Sequence, residues 1–301
     1  MPISLSPDQA TAELRARGHD AIDVVALSGG LWSAAFAFRE KGRDYVVRFH
    51  ERRDDLEKDR FAERWVAPDL RIPHMVEIGD MPVGAYGISE RVHGTPIDEL
   101  DEPGMRAILP ALFRALDRLR EADVSTTRGY GLWHGDGNAP YPSWRASLLD
   151  DASIERARAG LRGTPVGAEA FDAGISAMRT LLRYTSEERH VVHNDLLYYN
   201  VLADRDGVVL LDWGASIYGD FLYDWALLMF WWPWYRARWA GIDMDKEVTE
   251  HFRAAGAPNV AERLRLCELD IGVSHIAFQA GRAMWDEARW TAARTVALSK
   301  I

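Results

Sequence analysis

Cysteine is nearly absent from this sequence, in which Cys267 is the single one among 301 residues. One thiol excludes a disulfide within the chain, and the spacing of Cys and His shows no zinc-binding pattern. Chains without disulfides are typical of reducing compartments, so we expect a cytoplasmic protein. Residues 1–20 also lack the basic and apolar regions of a secretory signal peptide, and Ser6, Pro7 and Asp8 predict a helix cap and first turn there.

Long apolar runs, internal repeats and low-complexity segments are absent as well. The most apolar stretch, 224–232, predicts a buried helix, because it is much too short to cross a bilayer. Basic residues are outnumbered, since 36 Lys and Arg face 46 Asp and Glu and give a net charge of −10. This charge disfavours nucleic acid and anionic membranes as partners and suits a small cationic substrate. The length fits two lobes around a cleft, and we expect a monomer.

The sequence does contain one long motif, which runs over 193–200 and is followed by Asp212-Trp213-Gly214. The two segments match the His-x-Asp-Leu-x-x-x-Asn loop and the Asp-aromatic-Gly site of kinases. Phosphoryl transfer needs a carboxylate at the attacking hydroxyl and oxygen ligands for magnesium. We therefore predict that Asp195 is catalytic and that Asn200 and Asp212 bind Mg²⁺. His193 is predicted to brace the loop.

The residues between Asn200 and Asp212 predict how these groups meet. Two short apolar runs, 201–203 and 208–211, are joined at Asp206-Gly207, which is a strong hairpin signal. Such a hairpin returns Asp212 to the end of the catalytic loop. Taken singly, these Asp and Asn residues are more often turn residues or helix caps. Their occurrence together, in the order and spacing of the kinase motif, favours the phosphoryl-transfer interpretation.

With these motifs the chain resembles the aminoglycoside phosphotransferase family, kinase-like enzymes that phosphorylate antibiotics and other small alcohols. The resemblance runs over most of the chain and is carried by 27–30, 45–48, 58–60, 192–195, 200–202, 212–213, 219–220 and 230–234. It implies an α+β fold of the bilobal protein-kinase type. Residues 1–92 would form a nucleotide-binding lobe with an antiparallel sheet, one helix and the hinge. Residues 93–301 would form a larger, mainly helical lobe for catalysis and substrate binding.

The resemblance also implies ATP as co-substrate, with GTP left open, and Mg²⁺ as cofactor. Backbone N–H groups of a small-residue loop would contact the phosphates. The loop residues expected to do so are Ser28, Gly29, Gly30 and Ser33. At the hinge, the backbone of Glu90 and Arg91 would pair with the adenine edge.

Arg48 stands where most kinases have Lys, and its guanidinium can still bind phosphate oxygens. Its expected partner is Asp59, which lies in a helix predicted over 55–67. Glu63, one turn later, is the reserve candidate. The alternative is that the Arg and the helix acid are solvated surface charges.

Beyond residue 102 the chain is predicted to be mainly helical. Apolar residues recur at helical spacing in 105–122, 168–182, 224–232 and 261–278. The stretch 128–143 is rich in Gly, Pro and aromatic residues and predicts a long loop that forms a wall of the substrate site. The segment between Gly214 and Gly219 is too short for the activation segment of protein kinases, and Asn194 replaces their usual Arg. A peptide substrate is therefore disfavoured.

A polycationic acceptor needs carboxylates and aromatic faces near the transferred phosphate. The candidates that follow the metal site in the sequence are Asp220, Asp224, Trp231, Asp286 and Glu287. Each has an alternative role. Asp224 can brace the catalytic loop, Trp231 can belong to the core, and the pair Asp286-Glu287 can be a solvated helix face.

The sequence therefore predicts an ATP-dependent O-phosphotransferase that gives antibiotic resistance. Arg48 and Trp232-Pro233-Trp234 narrow the resemblance to family members that act on hygromycin B, so this antibiotic or a relative is the expected acceptor. A first alternative is a kinase of the same fold for a macrolide, choline, an amino alcohol or a sugar. A second is a non-catalytic nucleotide-binding protein, suggested by Arg48 and the loose Gly loop.

Overall fold

The structure is a computed structural model that describes residues 3–27, 33–196, 200–235 and 237–300, with the backbone alone for 253–255. The first element is helix α1 (Pro7–Ala16). Ser6 caps it by accepting a hydrogen bond from the Gln9 N–H at 3.2 Å, while the Gln9 side chain accepts from the Ser6 N–H at 2.8 Å. This reciprocal capping box satisfies N–H groups that a helix start leaves unpaired. The predicted helix cap is confirmed.

An antiparallel sheet follows α1. Its strands are β1 (Ile22–Ala26), β2 (Ser33–Glu40), β3 (Arg43–His50), β4 (Met75–Asp80) and β5 (Ala85–Glu90), in the order β1-β2-β3-β5-β4. Alternate residues of β3, Val47 and Phe49, are buried in a small core that also contains Ala10 and Leu14 of α1. Because side chains alternate along a strand, Arg48 projects from the opposite face of the sheet.

Helix α2 (Arg53–Ala62) connects β3 to the rest of the molecule. It ends five residues earlier than the predicted 55–67, and a single 3-10 turn, Glu63–Trp65, follows. Val66 is already extended, with φ −54° and ψ 130°. Pro68 disfavours the helical conformation in Ala67, the residue before it, and so accounts for the absence of helix at the predicted end.

The C-terminal part is mainly helical, as predicted. The helices anticipated from periodicity are α3 (Glu102–Glu121), α6 (Glu169–Leu181), α7 (Leu222–Trp231) and α9 (Val260–Gly281). The structure adds α4 (Trp144–Leu148), α5 (Asp151–Leu161), α8 (Met244–Ala255) and α10 (Trp285–Ser299). The ranges of α3, α6, α7 and α9 differ from the predicted ones by no more than a turn. Among the described residues, no helix is long and apolar enough to cross a membrane.

Short strands organise the middle of the chain. They are β6 (Thr95–Pro96), β7 (Gly131–Leu132), β8 (His190–Val192), β9 (Val201–Asp204), β10 (Gly207–Leu210) and β11 (Ile217–Gly219). β9 and β10 form the predicted hairpin, with Asp204 opposite Gly207. The turn residues are therefore Arg205 and Asp206, one position earlier than the predicted Asp206-Gly207, and Gly207 is the first residue of β10. Gly207 has φ 124°, a value that side chains disfavour. β11 pairs with β7 and β8 and so lies beside the strand that enters the catalytic loop.

Two apolar cores underlie the two lobes. The small one joins α1 to the sheet, and the large one fills the helical part. Ala62 and Trp65, at and after the end of α2, belong to the large core. The C-terminal end of α2 therefore packs against the helical lobe, although α2 lies within residues 1–92. The boundary between the lobes at residues 92 and 93 stays a prediction.

Candidate active site

The catalytic loop begins where β8 ends, and its first side chain, His193, is fully buried. Nε2 of His193 lies 3.0 Å from the Leu211 carbonyl oxygen, and the Asp195 N–H approaches Nδ1 at 3.3 Å. Burial lowers the pKa of His193 to about 4, so the ring is neutral and donates to Leu211 while accepting from Asp195. These contacts give His193 the bracing role predicted for it.

Asp195 and Asn200 meet directly. The Asn200 amide nitrogen donates to the Asp195 carboxylate oxygen Oδ2 at 2.8 Å and to the Asp195 carbonyl at 3.2 Å. The amide oxygen of Asn200 is thereby turned toward other partners. Burial, followed by the nearby charge of Asp212, raises the pKa of Asp195 to about 7. A carboxylate with a pKa near neutrality is well matched to accepting a hydroxyl proton.

Asp212 follows the hairpin and has φ 58°, the left-handed conformation that non-glycine residues rarely adopt. Its Oδ1 accepts from the Gly214 N–H at 3.3 Å, and 44% of its side chain is exposed. Burial alone would raise the pKa of Asp212, but the Arg48 guanidinium and the Gly214 N–H hold it below its usual value. The carboxylate is therefore charged and accessible.

Arg48 links this carboxylate to α2. Its guanidinium forms an ion pair with Asp59 and lies 3.3 Å from Oδ2 of Asp212. The predicted pairing of Arg48 with Asp59 is confirmed. Glu63, the reserve candidate, is occupied elsewhere, since its two oxygens bind the His74 ring and the Met75 N–H, each at 2.7 Å.

The hinge residues have their backbone N–H groups engaged within the protein. The N–H groups of Glu90 and Arg91 donate to the carbonyls of His74 and Asp44, each at 3.0 Å. Pairing of the backbone of Glu90 and Arg91 with the adenine edge stays a prediction. Of the predicted phosphate loop, Ser33 starts β2 opposite His50, while Ser28, Gly29 and Gly30 lie outside the described residues.

Two of the predicted acceptor carboxylates are used inside the fold. Asp220 is 2% exposed and forms a bidentate pair with Arg263, with N–O distances of 2.6 and 2.7 Å. Asp224, also 2% exposed, accepts from the N–H groups of His193 and Asn194, each at 2.8 Å. The expectation that these two contact the acceptor is therefore corrected, because protein donors engage both oxygens of each. Asp224 instead braces the catalytic loop.

Trp231 is likewise a core residue, with 5% of its surface exposed. Its ring stacks on Trp290 with a centroid distance of 5.3 Å and an interplanar angle of 12°. The prediction of a ligand-stacking face at Trp231 is corrected accordingly. Asp286 and Glu287 lie in the first turn of α10, where Asp286 is exposed and pairs with Arg289 at 3.0 Å. Their role at the acceptor stays a prediction.

The segment 128–143 packs on α2. Oδ1 of Asp54 accepts from the Gly135 N–H at 2.8 Å, and a Cβ at Gly137 would lie 2.0 Å from the Phe61 ring. Glycine is required there for close approach. The predicted wall of the substrate site is thus a segment that holds α2, and its contact with an acceptor stays a prediction.

Two polar residues near the predicted metal ligands received no role from the sequence. Lys58 is fully buried and donates from Nζ to the carbonyls of Gly214 and Ser216 at 2.7 and 3.1 Å. Asn194 donates to the Ala215 carbonyl at 3.0 Å. Both lie beside predicted site residues, but a side chain that binds a distant backbone leaves no pattern in the sequence.

The fold and the site together define a kinase-like enzyme that transfers a phosphoryl group to a hydroxyl. The phosphotransferase enzyme family (APH) matches residues 23–262. The chain is 30% identical over 283 residues to hygromycin-B 4-O-kinase from Escherichia coli, which covers 92% of this chain and 80% of that protein. This chain therefore belongs to the phosphotransferase enzyme family.

Solved structures of aminoglycoside phosphotransferases have a similar fold. Aminoglycoside phosphotransferase APH(4)-Ia superposes with a TM-score of 0.86 at 27% identity, covering 97% of this chain and 98% of that one. A thermostable mutant of it, in ternary complex with AMP-PNP and hygromycin B, gives 0.84 at 27% identity over 96% and 97% of the two chains. Aminoglycoside 2'-phosphotransferase-IIIa, at 14% identity and a TM-score of 0.62, shares the fold alone.

Proposed function

We propose that this protein phosphorylates a hydroxyl group of hygromycin B, or of a close relative, with ATP as donor, and so gives resistance to the antibiotic. The observation that supports this proposal is the similarity to hygromycin-B 4-O-kinase over 92% of the chain. The site also has the side chains that the transfer needs, which are those of Asp195, Asn200 and Asp212. Cytoplasmic location and a monomeric state belong to the same proposal.

The residues fit a magnesium ion. Asn200 gives its amide nitrogen to Asp195, which leaves its amide oxygen for a cation, and the charged carboxylate of Asp212 is accessible. Oxygen donors of this kind suit Mg²⁺, whose remaining ligands are usually phosphate oxygens and water. When bound, the ion would neutralise charge on the transferred phosphoryl group.

The protein's own residues supply orientation and proton transfer. Asp195 would accept the proton of the attacking hydroxyl, held in place by the Asn200 amide. Arg48, fixed by Asp59, would bind phosphate oxygens from the sheet side. The loop at Ser28, Gly29, Gly30 and Ser33 would supply backbone donors to the nucleotide. The acceptor's amines would be met by carboxylates such as Asp286 and Glu287.

Mass spectrometry of hygromycin B incubated with the protein, ATP and Mg²⁺ tests this directly. We expect one added phosphate on the antibiotic, and at least about 100-fold slower formation of this product when Asp195→Asn replaces the wild type. Separate reactions with choline, a macrolide and a simple sugar test the alternative acceptors.

Phosphate on one of these acceptors, with hygromycin B unmodified, would contradict the substrate while keeping the reaction. Binding of ATP without modification of any acceptor would favour the non-catalytic alternative. GTP in place of ATP, in the same reaction, decides the preferred donor.

A further inference from the structure

The turn that follows Asp212 is held by side chains from two other parts of the chain. Asp59 of α2 accepts from the Trp213 N–H at 2.8 Å. The next carbonyls, Gly214 and Ser216, accept from Lys58, and the one between them accepts from Asn194 at 3.0 Å. Consecutive carbonyls are therefore fixed by one residue of α2 and one of the catalytic loop.

Lys58 is unusual in its surroundings. It is fully buried, and its Nζ lies 4.6 Å from the centre of the Trp133 ring as well as close to the two carbonyls. Burial lowers the pKa of Lys58 to about 8, whereas Asp55 and Asp54 oppose that shift. Burying an ammonium group is unfavourable unless its donors are all engaged. The two carbonyls and the ring face engage them here.

The helix that carries Lys58 is itself fixed to the large lobe. Ala62 and Trp65 belong to the large core, and Asp54 binds the Gly135 N–H at 2.8 Å. These contacts fix the position of Lys58 relative to the large lobe. Its contacts end on the turn that begins at Asp212, which has a left-handed backbone with φ 58°. Such a conformation persists only where the surrounding structure over-determines it.

We propose that Lys58 is a positioning residue for the magnesium site: it fixes the carbonyls after Asp212 and so keeps the Asp212 carboxylate aimed at the cation. This inference rests on the proposed function only in that Asp212 binds Mg²⁺. Asp59 also holds this turn through the Trp213 N–H, but it is paired with Arg48 as well, whereas both hydrogen bonds of Lys58 go to the turn. The hydrogen bonds of Lys58 go to backbone carbonyls, so it acts through the turn.

The test compares Lys58→Met with wild type and with Lys246→Met, an exposed lysine of α8 whose side chain is 63% accessible. Methionine is unbranched and nearly as long as lysine but has no donor. Calorimetry measures the affinity for AMP-PNP with and without Mg²⁺, and the ratio of the two affinities is the readout. This ratio needs no acceptor, so a failure of hygromycin B phosphorylation in wild type leaves it interpretable.

For Lys58→Met we expect the Mg²⁺-dependent gain in affinity to fall about 10- to 100-fold, as for other groups that orient a metal ligand. Metal-free AMP-PNP binding should stay within about twofold of wild type. Lys246→Met should leave both unchanged. A folded Lys58→Met protein with an unchanged ratio, whatever its melting temperature, would overturn the proposal, because a purely structural lysine alters stability alone.

If Lys58→Met does not fold, the same affinity ratio is measured for Lys58→Gln. Its amide keeps a polar donor in the buried site but is one atom shorter and cannot reach both carbonyls. A reduced ratio supports the positioning role, and an unaltered ratio refutes it.

Discussion

The carboxylates of Asp195 and Asp212 differ from those of Asp220 and Asp224 in what surrounds them, not in chemistry. The Asp212 side chain is 44% exposed and the Asp195 carboxylate meets one amide nitrogen. Asp220 and Asp224 are each 2% exposed and have both oxygens engaged by protein donors. An acid can serve a reaction only if its carboxylate is accessible to the substrate or the cation, and that of Asp212 is accessible although the Gly214 N–H and Arg48 contact its two oxygens. The same substitution, Asp→Asn, applied to each of the four tests this division.

The largest effect on turnover is expected for Asp195→Asn. Loss of the proton acceptor should lower kcat by about 10²- to 10⁴-fold, the usual contribution of a general base. Nucleotide affinity and unfolding free energy should stay near wild type, because the Asn200 amide can still meet an amide oxygen. Steady-state kinetics and calorimetry measure these quantities. Near-normal kcat would contradict the catalytic assignment.

Asp212→Asn should come next. The substitution keeps an oxygen but removes the charge that attracts the cation, so half-saturation with Mg²⁺ should need at least about tenfold more metal. Titration of Mg²⁺ at saturating ATP gives this value. Restoration of kcat at high Mg²⁺ would separate a metal role from a role in proton transfer, whereas an unchanged Mg²⁺ requirement would count against the site.

Asp224→Asn should have a smaller effect on turnover. One of the two backbone N–H groups, of His193 or Asn194, would lose its acceptor, at a cost of about 1–3 kcal/mol. We expect kcat to fall about tenfold through displacement of the catalytic loop, together with a lower melting temperature. A rise in acceptor KM at unchanged stability would instead return Asp224 to the acceptor site.

Asp220→Asn should have the least effect on turnover and a large effect on stability. It leaves the Arg263 guanidinium buried without a counter-charge, which typically costs about 3–5 kcal/mol. Chemical denaturation measures the loss, with Asp286→Asn as the matched control at an exposed pair. Lost activity in a variant as stable as wild type would show that Asp220 contacts the acceptor.

What the sequence could predict was local or carried by a long motif. Asn200 and Asp212 are joined by a short hairpin that the apolar runs predict, although its turn lies at Arg205-Asp206 and not at the predicted Asp206-Gly207. The pairing of Arg48 with Asp59 followed from the kinase-like order of strand and helix. The helices α3, α6, α7 and α9 followed from apolar periodicity.

What it could not predict depended on distant partners. Asp220 read as a free acid because Arg263, the residue that buries it, lies 43 positions later in the chain. Engagement of the Glu90 and Arg91 amides could not be predicted, because their acceptors, the carbonyls of His74 and Asp44, are backbone groups without a sequence signature. Short or polar helices such as α4 and α5 have too weak a periodicity to stand out.

The membership of Ala62 and Trp65 in the large core has a consequence for how the cleft opens. In a hinge between rigid lobes, the helix after β3 would travel with the sheet. Here the C-terminal end of α2 is packed in the core of the helical lobe. We therefore expect α2 to stay with the helical lobe while the sheet rotates relative to it. Entry and exit of nucleotide would then change the tilt of β3 relative to α2, while the turn at Asp212 keeps its shape throughout the cycle.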